Sequence, residues 1–293
     1  MLQTVAFVFG LIAIGYAAGY FKLVSPKAYQ TLNDYVYFVA MPALIFARLA
    51  SAQLGSQHLQ ILIANALPIA IVLAAAATAW KLKLLGPKQA SLLVATSFFG
   101  NVVYMGFPIV EIKFGSDALQ TAAIISFAYN LMMFIPGLVL ILVITKKGSE
   151  GLFEEKVLKN TVILSCAFGA GASILNVDLP PLMLSVIEVA GSTTAPVALF
   201  SLGLFFKANK IAFVPAAFGI SAIKLIGFPL LFMATSSFIG FEGEPYNISL
   251  LEAMMPVAVT NFVLASKLGL DENLAASSVF VSTLFSAFTL SLV

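Results

Sequence analysis

The sequence predicts an all-α membrane protein of ten transmembrane helices, folded as two five-helix repeats of opposite orientation. Three observations predict it: an apolar composition that no soluble globule carries, lysines gathered on alternate loops, and a self-similarity at one fixed separation of 154 residues. Of the 293 residues, 61% are hydrophobic and 10% charged, with a mean hydropathy of +1.04. A soluble domain carries about 25% charged residues, so the apolar surplus must face lipid. Each helix crossing takes about 20 apolar residues. The length holds roughly ten crossings on that scale and leaves no room for a soluble domain.

The net charge of +2 is too small to point to nucleic acid. One cysteine, Cys166, cannot close an intrachain disulfide and rules out a thiolate-rich metal site. The N-terminus MLQTVAFVFG lacks the basic segment of a signal peptide and reads as the start of the first membrane helix.

Charge, Gly and Pro punctuate ten apolar runs, near 2–21, 29–50, 58–80, 89–112, 118–145, 157–176, 181–206, 211–239, 246–266 and 272–293. Barrel strands would alternate over about ten residues, so runs of this length are helices. Cytoplasmic loops collect Lys and Arg. Assigning loops alternately to two sides places Lys22, Lys27, Lys81, Lys83, Lys88, Lys146, Lys147, Lys156, Lys159, Lys207, Lys210 and Lys267 on one side. The other side receives Arg48 and Lys113, and Lys224 lies inside the eighth run. A missed span would scramble this asymmetry, so the lysines support both the count and a topology with both termini outside.

The separation of 154 residues is the distance from Pro26 to Pro180, and it recurs for Gly15 and Gly169, Pro42 and Pro196, and Phe46 and Phe200. It also aligns Lys113-Phe114-Gly115-Ser116-Asp117 with Lys267-Leu268-Gly269-Leu270-Asp271. The repeats are expected at 1–147 and 156–293, joined by the loop that follows Lys146. Five spans are an odd number, so the second copy enters the membrane inverted. Inverted repeats are the architecture of secondary transporters, with the substrate site near the midplane where Gly or Pro interrupts corresponding helices.

The fourth run, SFFGNVVYMGFPIVEIKFG, has Gly100, Asn101, Gly106 and Pro108 at its centre; the ninth, SLLEAMMPVAVTNFVLASKLG, has Pro256, Thr260 and Asn261. Proline removes a backbone donor, so both helices are expected to unwind at their prolines and expose polar backbone to a cavity. Simple proline kinks are the alternative.

These residues also resemble a known family. Asn101-Val102-Val103-Tyr104-Met105-Gly106-Phe107-Pro108 resembles the N-x-x-x-M-G-x-P crossover motif of the auxin efflux carrier family, which includes plant auxin transporters and bacterial carriers of malonate, malate and similar acids. Ala253 to Ala258 with Phe262 to Lys267 is similar to that family's ninth helix, Met41 to Phe46 to its second, and Tyr129 to Phe134 to its fifth. The resemblance implies that broken helices 4 and 9 cross, a design shared with bile-acid symporters. It implies a scaffold of helices 1, 2, 6 and 7 and a moving transport domain of helices 3, 4, 5, 8, 9 and 10. Carried over by position, Asn101, Pro108 and Pro256 belong to the crossover and Tyr129 faces the substrate. The large hydrophilic loop of plant members is absent after the fifth run, which makes auxin a poor candidate and a bacterial carrier the better fit.

An ionisable residue at membrane depth is costly and usually functional. Four fall inside apolar runs: Asp34, Glu188, Lys224 and Glu252. Asp34 and Glu188 stand at the repeat separation and are read either as gating or proton-binding groups or as interfacial carboxylates. Glu252, Asn101 and crossover carbonyls are expected to form a cation site filled by Na+, by a proton, or in one state by the Lys224 ammonium; Asn130 is a further candidate for ion coupling. A purely structural pair of Lys224 and Glu252 is the alternative. His58 is expected to meet water, Trp80 to anchor at the interface, and Arg48 either to attract an anionic substrate or to snorkel.

The expected function is a secondary transporter of a small organic anion, elevator-like and without enzymatic activity, in the bacterial inner membrane. Asn101, Asn261, Thr260, Tyr129, Pro108 and Pro256 line its substrate site. No cofactor or resident metal is expected, only H+ or Na+ as coupling ion; the partners are the substrate, the bilayer and a second copy through the scaffold helices. A sodium-coupled carrier of the bile-acid-symporter type is the alternative within transport, and a non-transporting membrane sensor the alternative outside it.

Overall fold

A computed structural model describes residues 2–52, 55–146, 160–209 and 211–291. The midpoint loop 147–159, with Lys147, Lys156 and Lys159, and Lys210 lie outside the described residues. Among the described residues every regular element is helical.

The chain opens with α1 (Leu2–Tyr20), then α2 (Tyr29–Tyr35) and α3 (Met41–Ala50) joined by a π turn at Val36–Ala40. Next come α4 (Ser56–Lys81), α5 (Pro87–Thr96), α6 (Phe107–Phe114), α7 (Ala118–Met132) and α8 (Leu138–Thr145). The second half holds α9 (Thr161–Ile174), α10 (Pro181–Ser192), α11 (Thr194–Ala208), α12 (Pro215–Ala222), α13 (Phe228–Ile239), α14 (Glu244–Ala253), α15 (Thr260–Lys267) and α16 (Glu272–Ser291). Among the described residues six helical stretches of 18 to 28 residues are long and apolar enough to cross a membrane: Gln3–Tyr20, Gln57–Lys81, Ala118–Thr145, Pro181–Ala208, Pro215–Ile239 and Glu272–Ser291. The other expected spans are α2 with α3, the broken pairs α5/α6 and α14/α15, and the shorter α9.

Proline placement explains most of these boundaries. Pro42, Pro87, Pro108, Pro181, Pro215, Pro229 and Pro245 stand in the first turn of their helices, where a missing N–H costs nothing. In three spans a five-residue π turn ends two positions before the proline: Val36–Ala40 before Pro42, Val102–Gly106 before Pro108, and Ile223–Gly227 before Pro229. The wider turn takes up the residue whose regular hydrogen bond the ring prevents. This corrects the expectation that the fourth span unwinds at Pro108: the backbone leaves the helix at Ser97–Asn101, and Pro108 starts a helix instead of ending one.

Close packing falls on glycines. A Cβ at Gly15 of α1 would strike the backbone carbonyl of Phe200 in α11, and one at Gly203 of α11 would strike the carbonyl of Ile12. At Gly169 of α9 it would meet Leu49 Cβ at 2.9 Å and the Phe46 carbonyl at 3.1 Å, both on α3. Small residues of this kind let membrane helices approach at backbone distance. The α4 helix packs on α7, α12 on α16, and α10 on α3. The buried core runs continuously through both halves.

Candidate functional site

Two interruptions meet in the interior. The fourth span is unwound between α5 and the π turn at Val102, and the ninth between α14 and α15. The two stretches pair as a short antiparallel bridge, Gly100 opposite Val257. The Asn101 N–H donates to the Pro256 carbonyl at 2.7 Å and the Ala258 N–H to the Phe99 carbonyl at 3.1 Å. Phe99 O also accepts from Asn261 Nδ2 at 3.0 Å, and the Val257 N–H donates to Ser282 Oγ of α16 at 3.0 Å. An unsatisfied backbone group at this depth would cost several kcal/mol on the usual scale, about 2–7. These cross-bonds give part of the interrupted backbone its partners in the interior.

Beside these bonded backbone groups, several side chains stand out. Asn101 Nδ2, Asn261 Oδ1, Tyr129 Oη and both carboxylate oxygens of Glu252 are buried with no hydrogen-bond partner. Buried polar groups almost always have partners, so a cluster of orphans marks a place where a ligand, ion or water completes the set.

The orphans fall into two neighbourhoods. A cavity of about 40 Å³ is lined by Asn101, Asn130, Thr260, Tyr37, Tyr104 and the Gly100 backbone, among others. Asn130 Nδ2 donates to the Ser126 carbonyl at 2.8 Å, and its Oδ1 accepts from Asn160 Nδ2 at 3.5 Å. Asn160 in turn caps α9, its Oδ1 accepting from the Ile163 N–H at 3.0 Å. One water needs about 10–15 Å³ on this scale, so the cavity has room for a few waters or a bare ion and is too small for an organic acid.

The second neighbourhood holds Glu252 and Lys224, both 0% exposed. Lys224, in the π turn Ile223–Gly227, donates from Nζ to the Ala253 carbonyl at 2.6 Å. Its ammonium stands 5.1 Å from the Phe228 ring centre, a cation–π distance. Gly100 lets it through: a Cβ there would lie 3.1 Å from Nζ. The Glu252 carboxylate lies flat against Gly106, where any Cβ would collide with it. Lys224 and Tyr129 are both within electrostatic reach of Glu252, but neither supplies a hydrogen bond to it.

The structure therefore gathers Asn101, Asn130 and Thr260 around one cavity, and Glu252, Lys224 and Tyr129 beside the same crossover. Tyr129 packs edge-on to Phe228 at 6.0 Å and joins the Glu252 group. Asn261 holds the Phe99 carbonyl, and Pro256 supplies its own carbonyl to Asn101. Pro108 is buried in the first turn of α6. Asn101 does not bond to the Glu252 carboxylate. Asp34 and Glu188 are exposed, on α2 and α10, and line no wall of the crossover cavity; Glu188 instead shares a pocket with Pro108. His58, in the first turn of α4, accepts from the Gly55 N–H at Nδ1, 2.8 Å, and pairs through Nε2 with Gln120 Nε2 of α7 at 3.1 Å. Residues that sequence reasoning missed are Ser282, Asn160, and Asn65 of α4, whose Nδ2 donates to Ser249 Oγ at 2.9 Å. The spacing of Ser278, Ser282 and Ser286 along α16 was the available signal. Among the described residues no three His, Cys, Asp or Glu side chains come together as a metal site.

An all-helical chain with several spanning stretches and buried, orphaned polar groups at a paired helix break is an integral membrane protein with a polar interior. The particular family follows from comparison: the chain belongs to the membrane transport protein family, that of the auxin efflux carriers, whose family model matches residues 1–160 and 156–293. It is similar to an uncharacterized transporter of Methanocaldococcus jannaschii, 27% identical over 99% of this chain and 97% of that one. It is also similar to a protein of Rhizobium meliloti to which malonate transport has been attributed, 24% identical over 96% and 91%. Auxin efflux carrier component 2 of Arabidopsis thaliana matches at 26% identity over 44% of this chain and 21% of its own length. The protein is a membrane transporter of this family.

Proposed function

We propose that the chain is a secondary transporter of a small organic anion, moving a mono- or dicarboxylate by elevator-like alternating access. The observation that carries this reading is the pair of interrupted helices, cross-bonded through their backbones, beside which the Asn101 side-chain amide keeps a buried donor unpartnered. In this reading the anion's carboxylate takes the Asn101 amide, with Thr260 and Asn130 on the same cavity wall. The malonate attribution of the Rhizobium relative supports the substrate class.

The architecture in this reading is ten helices in two inverted repeats, 1–147 and 156–293. The scaffold holds α1, α2 with α3, α9, and α10 with α11; the remaining helices form the transport domain. Contacts related by the 154-residue separation support it: Gly15 on Phe200 and Gly169 on Phe46 are the same contact with the halves exchanged. The lysine asymmetry supports both termini outside the inner membrane.

Coupling runs through Glu252, with H+ or Na+ as the ion. A buried carboxylate without a hydrogen bond is too costly to carry alone, and Lys224 donates elsewhere. Thermal stabilisation of the purified chain over a series of mono- and dicarboxylates, with and without sodium, tests the reading. A carboxylate that raises the melting temperature of the wild type and not of Asn101→Ala supports it. No stabilisation by any acid in the series counts against it.

A further inference from the structure

A second polar pocket lies between α3, α6 and the junction of α10 with α11, and it does not touch the crossover cavity. It has a volume of about 90 Å³, and its walls include Arg48, Thr194, Ser192, Glu111, Glu188 and Pro108. It adjoins a wider cleft of about 940 Å³ that shares Pro108, Glu111 and Ser192 with it. Arg48 Nε is buried and has no hydrogen-bond partner, and the same holds for Thr194 Oγ1, in a residue 1% exposed. Thr194 stands where α10 runs into α11 through the helical Thr193. Two residues with unpartnered groups, one of them cationic, line one cavity.

We propose that Arg48 and Thr194 form a second carboxylate-binding site, on the side of the bundle opposite the lysine-rich loops, which holds the anion before it reaches the crossover. The inference rests on the organic-anion reading above and adds to it a place of entry. A guanidinium with a free N–H matches a carboxylate in both charge and geometry, and the threonine hydroxyl supplies a further donor. Glu111 and Glu188 do not compete from within: both are exposed residues at the pocket's walls, and neither accepts from Arg48 Nε. Their charges are screened by solvent. The pocket is also bounded by both proposed domains, since Arg48 and Thr194 belong to scaffold helices and Pro108 and Glu111 to α6 of the transport domain. A carboxylate bound there lies on the seam along which the domains would part.

Arg48 is the chain's only arginine, so modification by phenylglyoxal, read as mass added to the intact full-length protein, reports one residue. Malonate, malate and acetate are each compared with sodium chloride at equal ionic strength. At least one carboxylate is expected to slow modification about five-fold or more in the wild type and in Asn101→Ala, and to lose that protection in Thr194→Val. Equilibrium dialysis with labelled malonate gives a second readout, two sites per chain in the wild type and one in Arg48→Gln. Protection equal to that by chloride, or a single site unaffected by Arg48→Gln, overturns the entry site while leaving the transporter reading intact. Absence of carboxylate binding from every variant overturns both.

Discussion

Gly15 lies flat on the carbonyl of Phe200, and 154 residues along the chain from Gly15 stands Gly169, which lies against Phe46, the residue 154 positions before Phe200. The two contacts exchange halves of the protein. They bind α1 to α11 and α3 to α9, and they give the sequence repeat a physical reason: glycine is needed where a Cβ has no room.

Replacing Gly15 by alanine should therefore destabilise the protein by about 1–3 kcal/mol, the usual cost of overpacking. Gly169→Ala should cost less, since its nearest neighbour is a side-chain Cβ at 2.9 Å. Gly10→Ala, with nothing within 4 Å, should be neutral or slightly stabilising, because alanine is the better helix former. Melting temperatures in one detergent should follow the order Gly10→Ala, Gly169→Ala, Gly15→Ala from highest to lowest; Gly15→Ala melting as high as Gly10→Ala would contradict the contact.

Glu252→Gln should remove the dependence of ligand binding on sodium or pH while the chain still folds. Gly106→Ala should reproduce that loss, because its Cβ would occupy the place of the Glu252 carboxylate. The two variants are compared by titrating ligand affinity against sodium and against pH. Ion dependence unchanged in Glu252→Gln would refute the coupling role, and a Gly106→Ala protein with wild-type ion dependence would refute the proximity.

The crossover asparagines should separate. Asn101 contributes its backbone to the bridge and leaves its side-chain amide free, so Asn101→Ala should lower carboxylate affinity about ten-fold, the loss of one charge-assisted hydrogen bond of roughly 1.5 kcal/mol, with little change in melting temperature. Asn261 holds the Phe99 carbonyl, so Asn261→Ala should lower both. Calorimetric binding alongside thermal melts reads the difference.

Much of this fold was legible because lipid imposes simple rules. Run lengths and proline positions located the helices, and Asn101, Pro256 and Glu252 stood out as polar or helix-breaking residues in apolar runs. What the sequence did not reveal were through-space relations. Pro108 read as a break because a proline's missing donor is visible while its position in a helix's first turn is not. Ser282 and Asn160 looked like ordinary helix residues until the chain brought Val257 and Asn130 to them. Arg48 read as a helix-end cation; only packing shows that its Nε is enclosed.

Counterflow tests the central claim most directly. Proteoliposomes loaded with unlabelled malonate and diluted into a trace of labelled malonate, without ATP, should take up label transiently above its equilibrium level, and Asn101→Ala should lower the overshoot at the same malonate concentration. Binding of malonate by the same preparation with no overshoot in the wild type would contradict transport and leave a membrane sensor in its place.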